Sequence, residues 1–175
     1  MKKTCLLVID VQKGLIDEGP HERDAFLKNL QALLTAARSA GVAVVHVQHG
    51  DEGLVEGSAD WQIHPAVAPL ATEPVFGKHF SSAFKDTGLE AWLKSQGIDT
   101  LVVCGMQTEY CLDASIKSAF EKGYHITVPR EAHTTYDARG MTAPQIKAWY
   151  ADQIWDGRFA SMKPMDAVLA LFDGS

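Results

Sequence analysis

The chain reads DTLVVCGMQTEYCLDASIKSAFEKG at residues 99–123, and this stretch decides the fold. Its first part, Thr100 to Cys104, is a short apolar run with β-branched residues, which is typical of a buried parallel strand. Gly105 interrupts the run, and Thr108 is then a candidate N-cap for a helix that ends at Gly123. The stretch therefore predicts a strand, a tight loop and a helix, the repeating unit of an α/β protein.

Cys111 follows the candidate N-cap by three residues, which places it in the first turn of the predicted helix. Backbone N–H groups in a first turn lack partners within the helix, and the helix dipole favours negative charge there. This position would stabilise a thiolate, the nucleophilic form of cysteine. A small buried core residue explains Cys111 equally well when this stretch is considered alone.

The rest of the chain repeats the same alternation of strands and helices. We predict strands at residues 4–9, 42–47, 74–78, 100–104, 125–128 and 158–162, and helices at residues 22–40, 87–97, 108–123, 142–157 and 165–172. Residues 11–20 and 131–140 are predicted to be loops, and residues 50–70 an irregular segment on the substrate side. The pattern predicts one α/β domain over residues 1–175, with a parallel sheet covered by helices on both faces.

The composition excludes several classes of function. The chain has 175 residues and a formal net charge of −6 without a basic run, so we expect no nucleic-acid partner. The apolar run at residues 5–9 is too short for a secretory leader, and no stretch reaches transmembrane length, so we expect no membrane association. Three cysteines without a paired spacing favour a reducing, cytoplasmic setting.

Three reactive side chains come at the ends of predicted strands. Asp10 follows the first strand, Lys78 ends the third, and Cys111 opens the helix after the fourth. Ligands bind at the carboxyl ends of the strands in open α/β sheets, so we expect these groups to meet at one edge. A carboxylate can accept the proton of a thiol, and an ammonium group stabilises the resulting anion. Taken singly, Asp10 could be a loop cap and Lys78 a solvated lysine.

Three blocks of sequence resemble the signature of the isochorismatase-like cysteine hydrolases. The blocks are LLVIDVQ at residues 6–12, Gly77-Lys78 followed by residues 82–84 (SAF), and VCGMQTEYC at residues 103–111. The resemblance covers nearly the whole chain. It implies a three-layer sandwich with a six-stranded parallel sheet in the order 3-2-1-4-5-6. It also implies a catalytic triad of Asp10, Lys78 and Cys111.

The same resemblance implies a reaction and the parts that serve it. Family members of this type hydrolyse the C–N bond of a small-molecule amide through a thioester on the cysteine, without a cofactor. A cis peptide bond is implied between Met106 and Gln107, with the backbone N–H groups of Gln107 and Cys111 forming an oxyanion hole. A homo-oligomer, dimeric or tetrameric, is also implied.

Other functions stay open at this stage. Cys111 disfavours the branch that cleaves isochorismate, which carries a small residue in its place. A metal-dependent, nicotinamidase-like amidase is the alternative within the family, but His46, His49 and Asp51 do not follow that branch's order and His64 lies well downstream, so we predict no metal. A redox-active thiol protein and a non-catalytic binding module are the alternatives from other classes.

Side chains near the predicted edge are candidates for contact with substrate, either as polar groups or as an apolar pocket wall. These candidates are Gln12, Leu15, His49, Trp61, Phe84, Tyr110 and Tyr136.

Overall fold

The computed structural model describes residues 3–173, so the first two and last two residues of the predicted domain lie outside the described residues. Its strands are β1 (Thr4–Ile9), β2 (Ala43–His49), β3 (Val75–Lys78), β4 (Thr100–Met106), β5 (His125–Pro129), β6 (His133–Thr134) and β7 (Ser161–Lys163). Over the described residues they form one seven-stranded sheet in the order β3-β2-β1-β4-β5-β7, with β6 paired to β4. All the pairings are parallel.

Helices lie between most of the consecutive strands. The α-helices are α1 (Lys13–Asp17), α2 (Arg23–Ser39), α3 (Leu89–Ser95), α4 (Asp113–Glu121), α5 (Ala143–Ala148) and α6 (Met165–Asp173). A 3₁₀ turn spans Pro65–Val67, and π-helical segments span Thr108–Leu112 and Trp149–Trp155. The predicted alternation of strands and helices is confirmed.

The sheet has a hydrophobic core on each face because successive side chains of a strand point to opposite sides. Leu7 of β1 packs in a cluster with residues of α3 and α4, whereas its neighbours Leu6 and Val8 pack in a second cluster with residues of α2 and α6. Helices therefore cover both faces, and the predicted three-layer α/β architecture is confirmed.

The two elements missed by the sequence analysis are both short. Residues 11–20 were predicted as a loop but contain the five-residue helix α1, and residues 131–140 contain the two-residue strand β6. Neither is long enough to show a hydrophobic period. The extra strand β6 pairs with the end of β4, so that Met106 lies opposite Thr134. The strand predicted at residues 158–162 corresponds to β7. Apart from β6, the six strands of the sheet keep the predicted order.

The prediction that Thr108 caps the helix before Cys111 is wrong. Gln107 occupies the N-cap position without a side-chain cap, and the helix begins with a π-helical turn. The Thr108 hydroxyl is buried instead, where it donates a hydrogen bond to the Thr134 carbonyl (3.2 Å) and lies 2.9 Å from His133 Nδ1. This side chain therefore joins the start of the helix to β6.

Within residues 3–173, the helices are all too short or too polar to cross a membrane.

Candidate active site

Asp10 is the first residue after β1, at the carboxyl end of the sheet. Its N–H donates to the Val47 carbonyl (3.0 Å), and its φ of +54° lies in the left-handed region that Asp tolerates better than most residues. The residue is only 1% exposed, and its Oδ1 has no hydrogen-bond partner among the described residues. Burial raises the pKa of Asp10, and the charge of Lys78 only partly opposes this shift.

Lys78, the last residue of β3, is buried and bonded to three groups. Its Nζ lies 2.7 Å from Asp10 Oδ2, 3.0 Å from His49 Nδ1 and 3.2 Å from Cys111 Sγ. An ammonium group has three N–H donors and no acceptor, so these contacts satisfy it fully. We refer to Asp10, His49, Lys78 and Cys111 as the Lys78 cluster. The three reactive residues predicted to meet at one edge of the sheet are therefore brought together.

His49 links the cluster to the loop that follows β2. Because Lys78 can only donate, His49 Nδ1 must accept, which leaves the hydrogen of its ring on Nε2. That nitrogen lies 3.1 Å from Asp51 Oδ2. The other oxygen of Asp51 accepts hydrogen bonds from the N–H groups of Gly53 and Leu54, both at 2.8 Å. The orientation of the imidazole is thus fixed from both sides.

Cys111 lies in the π-helical turn Thr108–Leu112. The N–H groups of Tyr110 and Leu112 both donate to the Gln107 carbonyl (3.2 Å each), and the Cys111 N–H between them does not. Burial, reinforced by the nearby charge of Asp10, raises the pKa of Cys111 to about 12 despite the opposing effect of Lys78. Burial therefore works against the thiolate that the helix position is expected to stabilise, whereas the adjacent Lys78 favours it.

The peptide bond between Met106 and Gln107 is cis, as the resemblance implies. Just before it, Gly105 has a φ of +127°, and a Cβ at this position would lie 2.0 Å from the Ile9 carbonyl oxygen. Only glycine lets β4 pass this close to the end of β1. This close passage sets the start of the turn that carries Cys111 beside Asp10.

A cavity of about 630 Å³ opens above the Lys78 cluster. Among the predicted substrate contacts, Leu15, His49 and Tyr110 line it, together with Asp10, Gln107 and Cys111. Sequence reasoning missed the other lining residues, which are Gly14, Asp17, Glu18, Asp51, Gly53, Leu54, Asp60 and Ser81. The density of carboxylates in residues 10–18 and 51–60 was the one available signal.

The other four predicted contacts, Gln12, Trp61, Phe84 and Tyr136, lie outside the cavity lining. Gln12 is fully buried, and its side-chain amide donates to the carbonyls of His49 (2.8 Å) and Trp61 (2.9 Å) and accepts from the His49 N–H (2.8 Å). Phe84 packs in the core against Tyr124. The Tyr136 hydroxyl donates to the Leu15 carbonyl. Gln12 and Tyr136 thus each bond the backbone of a residue that lines the cavity.

The side chains considered for a metal site have separate partners. His46 is 1% exposed with its Nε2 3.5 Å from a Glu73 carboxylate oxygen, and burial lowers its pKa to about 4. His64 Nδ1 accepts from the Ala66 N–H (3.2 Å), and His49 is bonded to Lys78. Within residues 3–173, no three His, Cys, Asp or Glu side chains are grouped as metal ligands.

The other two cysteines lie far from solvent. Cys5 and Cys104 are fully buried, and burial raises the pKa of each thiol well above its usual range. Cys111 is the partly exposed thiol of the described chain.

The sequence model of the Isochorismatase domain matches residues 4–148. The chain belongs to the isochorismatase family. A crystal structure of an isochorismatase family protein superposes on it with a TM-score of 0.87 at 31% identity, covering 93% of this chain and 99% of that one. The fold and the family implied by the three sequence blocks are thereby confirmed.

Relatives within the family include named hydrolases. A streptothricin hydrolase from Streptomyces noursei is 39% identical over 147 residues, which are 81% of this chain and 52% of that protein. A maleamate amidohydrolase from Pseudomonas putida is 33% identical over 152 residues, or 74% of this chain and 71% of that protein. The chain thus spans about half the length of the streptothricin hydrolase that it matches.

Proposed function

We propose that the chain is a cysteine hydrolase that cleaves the C–N bond of a small-molecule amide through a thioester on Cys111. The observation that carries this proposal is the position of one buried ammonium group, Lys78 Nζ, within hydrogen-bond distance of both the Asp10 carboxylate and the Cys111 sulfur. Acid, amine and thiol meet beneath a cavity large enough for a small molecule. The hydrolase activities named for the relatives agree with this reaction.

The first step is activation of the thiol. Lys78 holds Oδ2 of Asp10, which leaves the unpartnered Oδ1 as the oxygen that accepts the Cys111 proton. Burial raises the pKa of Asp10 and so makes it a stronger base, and burial also raises the pKa of the Cys111 thiol. Proton transfer therefore accompanies attack of the sulfur on the substrate carbonyl carbon. Lys78 lies beside whichever partner, carboxylate or sulfur, carries the negative charge.

The second step is collapse of the tetrahedral intermediate. Its oxyanion accepts hydrogen bonds from the backbone N–H groups of Gln107 and Cys111, two residues that line the cavity. Asp10 returns the proton to the leaving amine as the C–N bond breaks, and the acyl group stays on the sulfur. Asp10 then takes a proton from water as the water oxygen attacks the thioester. It gives that proton to the Cys111 sulfur as the C–S bond breaks, which releases the acid and the free thiol.

The test is turnover of a panel of small amides, with release of ammonia or amine as the measurement. Cys111→Ala should lose turnover of every amide that the unmodified chain hydrolyses, because no other accessible thiol is placed beside Asp10. Cys5→Ala, which also removes a thiol but from the core, should keep turnover. Hydrolysis by Cys111→Ala at the rate of the unmodified chain would overturn the proposed function.

A further inference from the structure

We propose that the amide substrate carries a positively charged group, such as an ammonium or guanidinium, which lies at the mouth of the cavity. The inference rests on the proposed function, since it assigns a substrate class to the same site. It starts from the composition of the cavity lining, which includes the five carboxylates of Asp10, Asp17, Glu18, Asp51 and Asp60. None of the described residues in that lining is a lysine or an arginine.

Part of this negative charge is balanced by neighbouring cations. Lys78 pairs with Asp10 from below the cavity, and Asp17 is paired with Lys13 and with Arg23, whose nearest nitrogen is 3.6 Å away. Asp51 shares its carboxylate between His49 and backbone N–H groups. These three carboxylates are therefore held in place by partners within the chain.

Glu18 and Asp60 are the remaining two carboxylates of the cavity lining. Neither forms an ion pair with any residue that the structure describes, and both are exposed at the mouth. They lie on two segments that are tied together, because the Gly14 N–H donates to the Asp60 carbonyl (2.9 Å) and the Lys13 N–H to the Gln62 carbonyl (2.8 Å). The charge of Lys13 also acts on Asp60, but the three neighbouring cations, Lys13, Arg23 and Lys78, are fewer than the five carboxylates of the lining, so the cavity keeps an excess of negative charge.

A second observation at the site points to a bound hydrogen-bond donor. Asp10 lines the cavity, and its buried Oδ1 has no hydrogen-bond partner within residues 3–173. An unpaired buried acceptor costs free energy until a ligand or solvent donor reaches it. A substrate that fills the cavity can therefore place its amide at Asp10 and Cys111 while its other end lies among the outer carboxylates.

The electrostatic consequence follows from the shape of the site. A cleft lined by one sign of charge concentrates ligands of the opposite sign and speeds their entry. An anionic amide would meet Glu18, Asp51 and Asp60 before reaching Cys111. Lys78, the cation that could favour an anion, already has its three donors occupied.

A direct test is the charge dependence of Cys111 labelling by thiol reagents of similar size. The probes are the cationic trimethylammonioethyl and the anionic sulfonatoethyl methanethiosulfonates, each rate being divided by its rate with a small free thiol. We expect the cationic reagent to label Cys111 roughly 10-fold faster at low ionic strength. The preference should shrink as salt is added, because salt screens exposed charges. Equal corrected rates, or a preference for the anionic reagent, would overturn the proposal.

Substitutions of the acidic residues at the cavity mouth test whether these residues cause the preference for the cationic reagent. Asp60→Asn and Glu18→Gln should each lower the ratio of cationic to anionic labelling, and the double substitution should lower it further. Glu121→Gln removes the same charge from an exposed position on α4 outside the cavity and should leave the ratio unchanged. A ratio that does not respond to the double substitution would contradict the assignment to the mouth.

Turnover separates this inference from the proposed function. The substrates are 5-aminopentanamide, hexanamide and adipic acid monoamide, which share a four-methylene spacer and differ in the charge of the far end. We expect kcat/KM to decrease in that order. Equal rates for all three would overturn the charge preference and leave amide hydrolysis standing, whereas absence of turnover for all three would count against the proposed function.

Discussion

The Lys78 cluster and the segment of residues 50–70, which we call the outer wall, form opposite sides of the same cavity by different means. The cluster comes from the ends of hydrogen-bonded strands, with Asp10 and Lys78 buried and Cys111 partly exposed. The outer wall contains a single 3₁₀ turn within residues 50–70 and depends on bonds to residues 11–14, among them Gly14 N–H to the Asp60 carbonyl. The sheet therefore fixes the chemistry, while an irregular segment shapes what can enter.

The largest effect is expected from a change in the backbone that supports the Lys78 cluster. In Gly105→Ala the added Cβ would lie 2.0 Å from the Ile9 carbonyl oxygen, so we expect no stably folded protein. The matched change in the outer wall is Gly57→Ala, where φ is +85° and no atom lies within 4 Å of the added Cβ. That change should cost only about 1–2 kcal/mol. Far-UV circular dichroism and urea unfolding measure both, and a cooperative, stable Gly105→Ala would contradict the packing described here.

The second-largest effect is expected from removing the buried cation, Lys78. Lys78→Met leaves the Asp10 carboxylate buried without its partner, which should lower the free energy of unfolding by roughly 3–5 kcal/mol. The amide turnover should fall by about 100-fold or more, since the anions lose their stabilising charge. Asp10→Asn combined with Lys78→Met should recover part of the stability while turnover stays lost. Recovery of turnover in the double variant would argue against the role assigned to the pair.

A smaller effect is expected where the Gln12 side chain bonds to the outer wall. Gln12→Leu removes hydrogen bonds to His49 and Trp61 and should lower the free energy of unfolding by roughly 2–3 kcal/mol. KM for an amide should rise more than kcat falls, because the change loosens the wall and leaves Cys111 in place. Amide hydrogen exchange over residues 49–62 should accelerate. Gln31→Leu, an exposed site on α2, is the control, and equal exchange in the two variants would contradict the fastening role.

The smallest effect is a shift in the pH profile. Asp10 must be ionised to accept the thiol proton, and burial raises its pKa above the ordinary value of 3.8. The activity should therefore be present above the raised pKa and be lost as the pH falls through it. The acid limb of kcat/KM measures this apparent pKa. An acid limb at or below the ordinary value would indicate that solvent or Lys78 outweighs burial at Asp10.

The cluster could be predicted from the sequence because strand ends carry positional information. Asp10 follows one recognisable strand and Lys78 ends another, and parallel pairing brings the ends of such strands to one edge. The sheet order came from the family resemblance, which the matching structures bear out. The effect of burial on the pKa of Cys111 has no signal in the sequence, because burial depends on side chains far away along the chain.

The contacts of the outer wall could not be predicted because the residues that make them do not recur at a regular spacing in the sequence. Trp61 was chosen for its aromatic ring, yet its carbonyl is what Gln12 and Gln48 hold, at 2.9 and 2.7 Å. Gln12 is predicted to contact substrate as a polar group near Asp10, but its side-chain amide bonds to backbone groups. Tertiary hydrogen bonds of this kind follow from the packed loop and leave no pattern in the sequence.

The central claim is that Cys111 is the nucleophile, and trapping its acyl form tests this most directly. The chain is mixed with a hydrolysed amide, quenched in acid within the turnover time and digested for mass spectrometry. We predict a mass increase equal to the acyl group on the peptide that contains Cys111, which hydroxylamine removes. Turnover that proceeds with Cys111 unmodified at every quench time, and that survives in Cys111→Ala, would contradict the account.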